Sequence, residues 1–289
     1  MAEAIAWLAD RGVVRVAGED ATSFLQGLLT NDVERLAIGE ARYAGLLTPQ
    51  GKILFDMLVV RVRADTGAAY LIDCAAWQAV DLAKRLGLYK LRAKVAIADE
   101  SGERAVVAAW GDDVVLPEGA FVYRDPRDPR LGLRAIVARA EAAAIGEAGL
   151  ASYEALRIAA CAPKGGVDFA YGDAFPHDAD FDLLSGVDFG KGCYVGQEVI
   201  VRVLDRGHGR VAKKLEGLTI EDDAVPSRGA VITAGGKEVG TITSAVRSAG
   251  LNRTIALGYL QREFLAPGTA VDVAGHRASV TALPFVSRQ

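Results

Sequence analysis

Two apolar runs, residues 43–47 and 53–62, flank Thr48-Pro49-Gln50-Gly51-Lys52. Proline followed two residues later by glycine is a turn signal, so the unit reads as a β-hairpin. No other stretch constrains the fold as strongly, because its neighbours have to complete a sheet around it. Upstream, residues 13–16 read as a strand, broken by Gly18-Glu19-Asp20, and Asp20 is a candidate helix cap. Phe24, Leu25, Leu28 and Leu29 then fall at helical spacing, and Asn31-Asp32 ends that helix. Downstream come a strand at 69–73, a helix from Trp77 to Leu86 and a strand at 92–98. The order β-α-β-β-β-α-β is that of an α+β unit rather than a ladder of βαβ crossovers. Neither G-x-G-x-x-G nor G-x-x-x-x-G-K-[ST] occurs, so nothing indicates a dinucleotide or nucleoside-triphosphate site.

A looser second unit follows, with strands at 105–110 and 133–138 and helices at 141–147 and 152–160. Between its strands, Arg124-Asp125-Pro126-Arg127-Asp128-Pro129-Arg130 alternates charge and proline and is expected to be solvated surface. From about Val211 the pattern becomes short strands with regular turns, at 230–233, 239–245, 255–260, 270–273 and 278–283. Such spacing reads as a small β-barrel of about six strands. The expected division is 1–103, 104–207 and 208–289, which suits a chain of 289 residues.

The net charge of −4 argues against a general nucleic-acid binder. No apolar run approaches the ~18 residues of a membrane helix, and the opening residues carry no secretory pattern. Cys74, Cys161 and Cys193 are odd in number and far apart. That fits free thiols in a reducing compartment, and the cytoplasm is expected. Three cysteines also fall short of the four thiolates that usually hold an iron–sulfur cluster.

Charge is unevenly placed. Residues 151–190 carry seven acids against Arg157 and Lys164, a net of −5. Residues 191–214 carry six bases against Glu198 and Asp205, a net of +4. Two readings fit: an anionic ligand held near the switch of sign, or two faces bonding to each other. His177-Asp178-Ala179-Asp180-Phe181-Asp182 contains metal-ligand types. His177 has no second histidine at suitable spacing, so no metal ligand is assigned.

At the switch of sign stands Lys191-Gly192-Cys193-Tyr194-Val195-Gly196-Gln197-Glu198. A nearby ammonium favours the thiolate, and a helix opening at Gly196 or Gln197 would add its dipole. On these grounds Cys193 is expected to be accessible and acidic, with Cys74 and Cys161 more buried. The alternative is a small residue in a tight turn.

This octapeptide resembles the signature of the YgfZ-type folate-binding proteins, relatives of the glycine-cleavage T-protein (aminomethyltransferase) that act in iron–sulfur protein maturation. Residues 24–33, 47–54 and 186–189 also resemble the family's first helix, first hairpin and approach to the cysteine. The resemblance implies two interlocked α+β units followed by a C-terminal β-barrel. It implies tetrahydrofolate or a one-carbon derivative as ligand, and Cys193 as functional thiol. Asn31, Asp56, Asp178, Lys191, Tyr194, Gln197, Glu198 and Arg202 are the residues it assigns to the folate. Implied partners are iron–sulfur client or assembly proteins, including tRNA-modifying enzymes. The alternative function is folate-dependent aminomethyl transfer. Against it, Phe55 stands where the transferases carry the first acid of an Asp-Asp pair, and a thiol stands where they typically carry an acid. Asp178 also stands where the helper family more often has glutamate.

Overall fold

The computed structural model describes residues 4–111, 114–201 and 213–285. The chain opens with β1 (Ile5–Trp7), β2 (Arg11–Gly18) and α1 (Ala21–Gln26). The hairpin β3 (Ala41–Leu47) and β4 (Ile53–Val62) follows, then β5 (Ala68–Ala75), α2 (Ala79–Lys90) and β6 (Ala96–Asp99). These strands, without β1, form a five-stranded antiparallel sheet in the order β3-β4-β5-β2-β6. β4 is apolar on both sides of the pleat. Leu58, Val60 and Val62 face one core and Phe55, Met57 and Val59 the other, as the period of two requires. Helices α1 and α2 cover the second face through Leu25, Leu82 and Leu86.

The second unit holds β7 (Arg104–Ala109), β8 (Phe121–Arg124), β9 (Leu133–Ala138), α3 (Arg139–Ile145) and α4 (Leu150–Ala159). Its sheet runs β1-β7-β9-β8, so the chain's first strand crosses over to it. This interlocks the two units. The segment 160–196 is mostly loop, and α5 (Gln197–Val201) ends it. Its aromatic side chains Phe169 and Phe181 join Tyr43, Leu58, Val106 and Ile136 in a core shared by both units.

The last six strands are β10 (Lys213–Ile220), β11 (Val231–Ala234), β12 (Lys237–Ser248), β13 (Arg253–Gln261), β14 (Ala270–Val273) and β15 (His276–Thr281). They close into a barrel in the order β10-β13-β12-β11-β14-β15. Closure removes the unpaired strand edges that invite association. Ile158, Ala159 and Cys161, at the end of α4, pack on the barrel through Leu215, Ile255 and Leu257.

Four local expectations need correction. The first helix stops at Gln26, although Leu28 and Leu29 are buried in the turn beyond it. Asp20 does not cap that helix. Its backbone, at φ −98° and ψ 6°, lacks the extended geometry that turns a cap side chain back to the first-turn amides. Its carboxylate accepts instead from the Lys94 amide at 2.7 Å. The strand expected at 92–98 begins only at Ala96. Finally, the 124–130 loop is not solvated throughout: Asp125 and Asp128 are buried, each paired with the arginine two residues on.

Candidate functional site

Cys193 is exposed on an arch, residues 192–195, whose Tyr194 and Val195 are half-buried against the two cores, and both ends of the arch are anchored. On the near side, residues 185–191 are stitched to the turn after α1. The Asn31 amide donates to the carbonyls of Tyr43 and Ser185, and Thr30 Oγ1 donates to the Gly186 carbonyl at 2.6 Å. The Asp188 amide donates to the Thr30 carbonyl at 3.0 Å. Asp188 Oδ1 accepts from the amides of Gly190 and Lys191, at 2.7 and 3.1 Å. On the far side the arch rests on the hairpin turn. Gly196 has φ +81°, and a Cβ there would run into the Thr48 carbonyl oxygen and meet Gly51 Cα at 3.2 Å. Gly51, also at φ +81°, would set a Cβ 3.0 Å from that of Val199. Both positions need glycine, for conformation and for space.

Gln197, the first residue of α5, reaches back across the arch. Its Oε1 accepts from the Tyr194 amide at 3.0 Å, and its Nε2 lies 3.8 Å from Cys193 Sγ. The Lys191 ammonium hydrogen-bonds to backbone rather than to the thiol: it donates to the carbonyls of Gln26, Leu29 and Asn31, at 2.8, 2.6 and 2.8 Å. Burial lowers this ammonium to about 8, with Asp32 and Asp188 opposing in part. Its nitrogen also stands 5.4 Å from the Tyr194 ring centre, and burial raises the Tyr194 phenol to about 12. The other two thiols are buried as expected: burial pushes Cys74 up to about 12 and Cys161 well above its ordinary value.

The residues assigned to a folate fall in separate places: Asn31, Lys191, Tyr194 and Gln197 gather around the arch, whereas Asp56 and Asp178 line two other cavities. Asn31 lines a cleft of about 730 Å³ between the two α+β units, with Arg42, Arg124, Asp188 and Phe189. Both of its amide atoms are already engaged by backbone, Oδ1 by the Asp32 amide at 2.8 Å. Asp56 lines a central void of only about 30 Å³. It accepts a short hydrogen bond from the Tyr171 hydroxyl, whereas Phe55 faces the opposite core. Asp178 lines a third cavity, and its Oδ2 accepts from the Phe175 amide at 3.0 Å. Tyr194 and Gln197 are part of the arch itself, and Glu198 is exposed on α5. Arg202 lies outside the described residues.

Sequence reasoning missed two features. The third cavity, about 540 Å³, lies between the hairpin turn, the 166–178 loop and the barrel. Phe175, Tyr259, Lys52, Lys213 and Arg228 are in its wall. Lys52 donates to the Asp173 carbonyl and sits 3.6 Å above the Phe175 ring, which stacks on His177. His177 Nδ1 and the Tyr259 hydroxyl are buried without a hydrogen-bond partner among the described residues. The second feature is a buried ion network at the centre. Arg134 pairs with Asp73 at 2.6 Å and Asp125 at 2.9 Å, and Arg11 and Arg127 hold those acids from their other sides. Burial alone would raise Asp73, and the guanidiniums of Arg11 and Arg134 outweigh it, leaving it below its ordinary value. The available signal was a lone charge inside an apolar strand, as in Tyr70-Leu71-Ile72-Asp73 and Leu133-Arg134-Ala135-Ile136.

Residues 8–114 match the GCVT N-terminal domain and residues 213–287 the glycine cleavage T-protein C-terminal barrel domain. The fold superposes on aminomethyltransferase T of the Bartonella henselae glycine cleavage system with a TM-score of 0.80. That match covers 100% of this chain and 88% of the other, at 20% identity, and speaks to fold alone. Among curated proteins, the chain is 35% identical over 212 residues to the mitochondrial iron–sulfur cluster assembly factor IBA57 homolog of Mycosarcoma maydis, covering 68% of this chain and 53% of that protein. With the Neurospora crassa homolog the identity is 33%, covering 69% and 50%. The chain thus spans about half the length of these fungal relatives. To mouse IBA57 it is 31% identical over 280 residues, covering 86% of this chain and 78% of that protein. On these grounds the chain belongs to the family of the iron–sulfur cluster assembly factor IBA57, built on the glycine-cleavage T-protein fold.

Proposed function

We propose that this protein assists assembly or repair of iron–sulfur clusters in client enzymes, tRNA-modifying ones among them, and that Cys193 is the working thiol. The observation that carries the reading is the arch: of three cysteines only Cys193 is exposed, and both ends of its loop are fixed. A thiolate binds iron. One thiolate is far from a full ligand set, so the remaining ligands come from the client or an assembly partner. The cluster is cargo, met at the surface and passed on.

Tetrahydrofolate is the small ligand we propose. A central void of about 30 Å³ has room for little more than water, and we place no pterin there. The barrel-side cavity of about 540 Å³ fits better. Asp173 and Asp178 offer acceptors for ring N–H groups, Phe175 and Tyr259 offer aromatic surface, and Lys213 and Arg228 suit a glutamate tail. No chemical step is assigned to the folate. Aminomethyl transfer is disfavoured, because Phe55 replaces one acid and Tyr171 already engages Asp56.

The experiment has two arms. Cys193→Ser should fold as the wild type does and fail to restore iron–sulfur enzyme activity in cells lacking the protein. Full restoration would remove the thiol from the account. Tetrahydrofolate titration should saturate and weaken with salt, since exposed charge pairs are screened. No binding at millimolar ligand would remove folate.

A further inference from the structure

Lys191 stands two residues from the thiol, yet its ammonium is engaged by backbone carbonyls. Its three N–H donors meet three carbonyls of one turn: Gln26, at the end of α1, Leu29 and Asn31. A helix end leaves carbonyls without intrahelical partners, and an ammonium is well suited to them because it offers three donors around a point charge. The partners lie 160 to 165 residues away in sequence. The contact therefore ties two remote parts of the fold together. Next to it, the Asp188 carboxylate holds the Gly190 and Lys191 amides. Gly192 then opens the arch, with nothing within 4 Å of where its Cβ would be. Tyr194 and Val195 pack against the cores beyond the thiol, and ahead of it Gly192 offers no packing, so on that side the arch takes its hold from Lys191.

We infer that Lys191 is a positioning residue, whose ammonium, gripped by the Gln26, Leu29 and Asn31 carbonyls, fixes the arch that presents Cys193. The inference deepens the proposed function and rests on it only for the use made of the thiol. An exposed group meant to meet a partner-held cluster gains from being held in one place, because ordering it on binding would cost affinity. The clamp supplies that order without covering the thiol with side chains.

The test is hydrogen exchange of the full-length protein, followed by mass spectrometry over residues 188–196. Lys191→Met removes the donors and keeps the bulk. Exchange in this segment should accelerate at least tenfold, with the sheets unchanged. Lys191→Gln, which keeps two donors, should fall between, and it serves if the methionine variant folds poorly. Lys191→Ala leaves a space facing three carbonyls. Millimolar propylammonium should restore at least half of the lost protection, and tetramethylammonium, which has charge and no N–H, should not. A merely space-filling lysine would show no such rescue. Wild-type exchange in Lys191→Met, or equal rescue by both cations, overturns the clamp. A loosened arch with undiminished iron–sulfur enzyme activity in cells supports the clamp and counts instead against Cys193 as the working thiol.

Discussion

Replacing Arg134 by methionine tests what holds the two α+β units together. Arg134 is 3% exposed and donates to Asp73 at 2.6 Å, Asp125 at 2.9 Å and the Tyr153 hydroxyl at 2.6 Å. Removing one partner of a buried ion pair costs about 3–5 kcal/mol, because a charge is left uncompensated. Here each acid keeps a second guanidinium: Arg11 at 2.5 Å for Asp73 and Arg127 at 2.7 Å for Asp125. That places the expected loss at the low end, about 3 kcal/mol. Urea unfolding at neutral pH reads it as a lower midpoint with unchanged slope. The sign with pH follows from the acids. Asp73 and Asp125 sit below their ordinary values in the folded state: burial raises them, and the neighbouring arginines more than offset it. Their contribution is complete above the unfolded carboxylate value and is lost as pH falls through the folded values. With Arg134 gone the folded values rise, so acid unfolding should begin at higher pH. A loss below about 1 kcal/mol, with an unmoved acid limb, would refute the reasoning, since it would mean that the remaining two arginines suffice.

Two predictions concern the barrel side. Burial raises Glu216 to about 7, with Asp180 adding and Lys214 opposing. A raised acid weakens the fold as pH climbs from its unfolded value through its folded one. Glu216→Gln should therefore gain on the wild type between about pH 4.5 and 7, read from urea midpoints at pH 5 and 8; a constant difference would contradict the assignment. The Tyr259 hydroxyl is buried with no partner among the described residues, so Tyr259→Phe should cost less than about 0.5 kcal/mol of stability. If the cavity holds the pterin, the same change should weaken tetrahydrofolate several-fold in calorimetry; unchanged affinity would move the ligand elsewhere.

The hairpin was legible because its information is local: Thr48 takes hydrogen bonds from both Gly51 and Lys52, and the turn residues show it. The barrel was legible for the same reason. What escaped depends on distant partners. β1 is three residues long and owes its existence to pairing with β7, about a hundred positions away. The charges of 124–130 looked like surface because their third partner, Arg134, leads on to Asp73, 61 residues back. Leu28 and Leu29 kept helical spacing beyond the helix end because a buried turn also needs apolar side chains. The position of Cys193 in a permissive loop was readable from its glycines. The destination of Lys191 was not, because nearness in sequence pointed to the thiol and the fold offered three carbonyls instead.

Asp56 is buried between the two units, 3% exposed, beside a void of about 30 Å³. An iron–sulfur cluster is larger than that void, and its transfer requires another protein to come close. Surface delivery is therefore the geometry to expect of a cluster helper, and an exposed thiol meets it where a buried carboxylate does not. On the proposed reading, one thiolate falls short of the usual four-ligand set, which suits passing a cluster on over keeping it. The turn 48–52 touches both candidate regions: Gly51 supports the arch through Gly196 and Val199, and Lys52 walls the barrel-side cavity. A ligand that drew Lys52 away from Asp173 and Phe175 would act on the same short turn that seats the arch. On the proposed reading, ligand binding in the cavity and presentation of the thiol would therefore meet at this one turn.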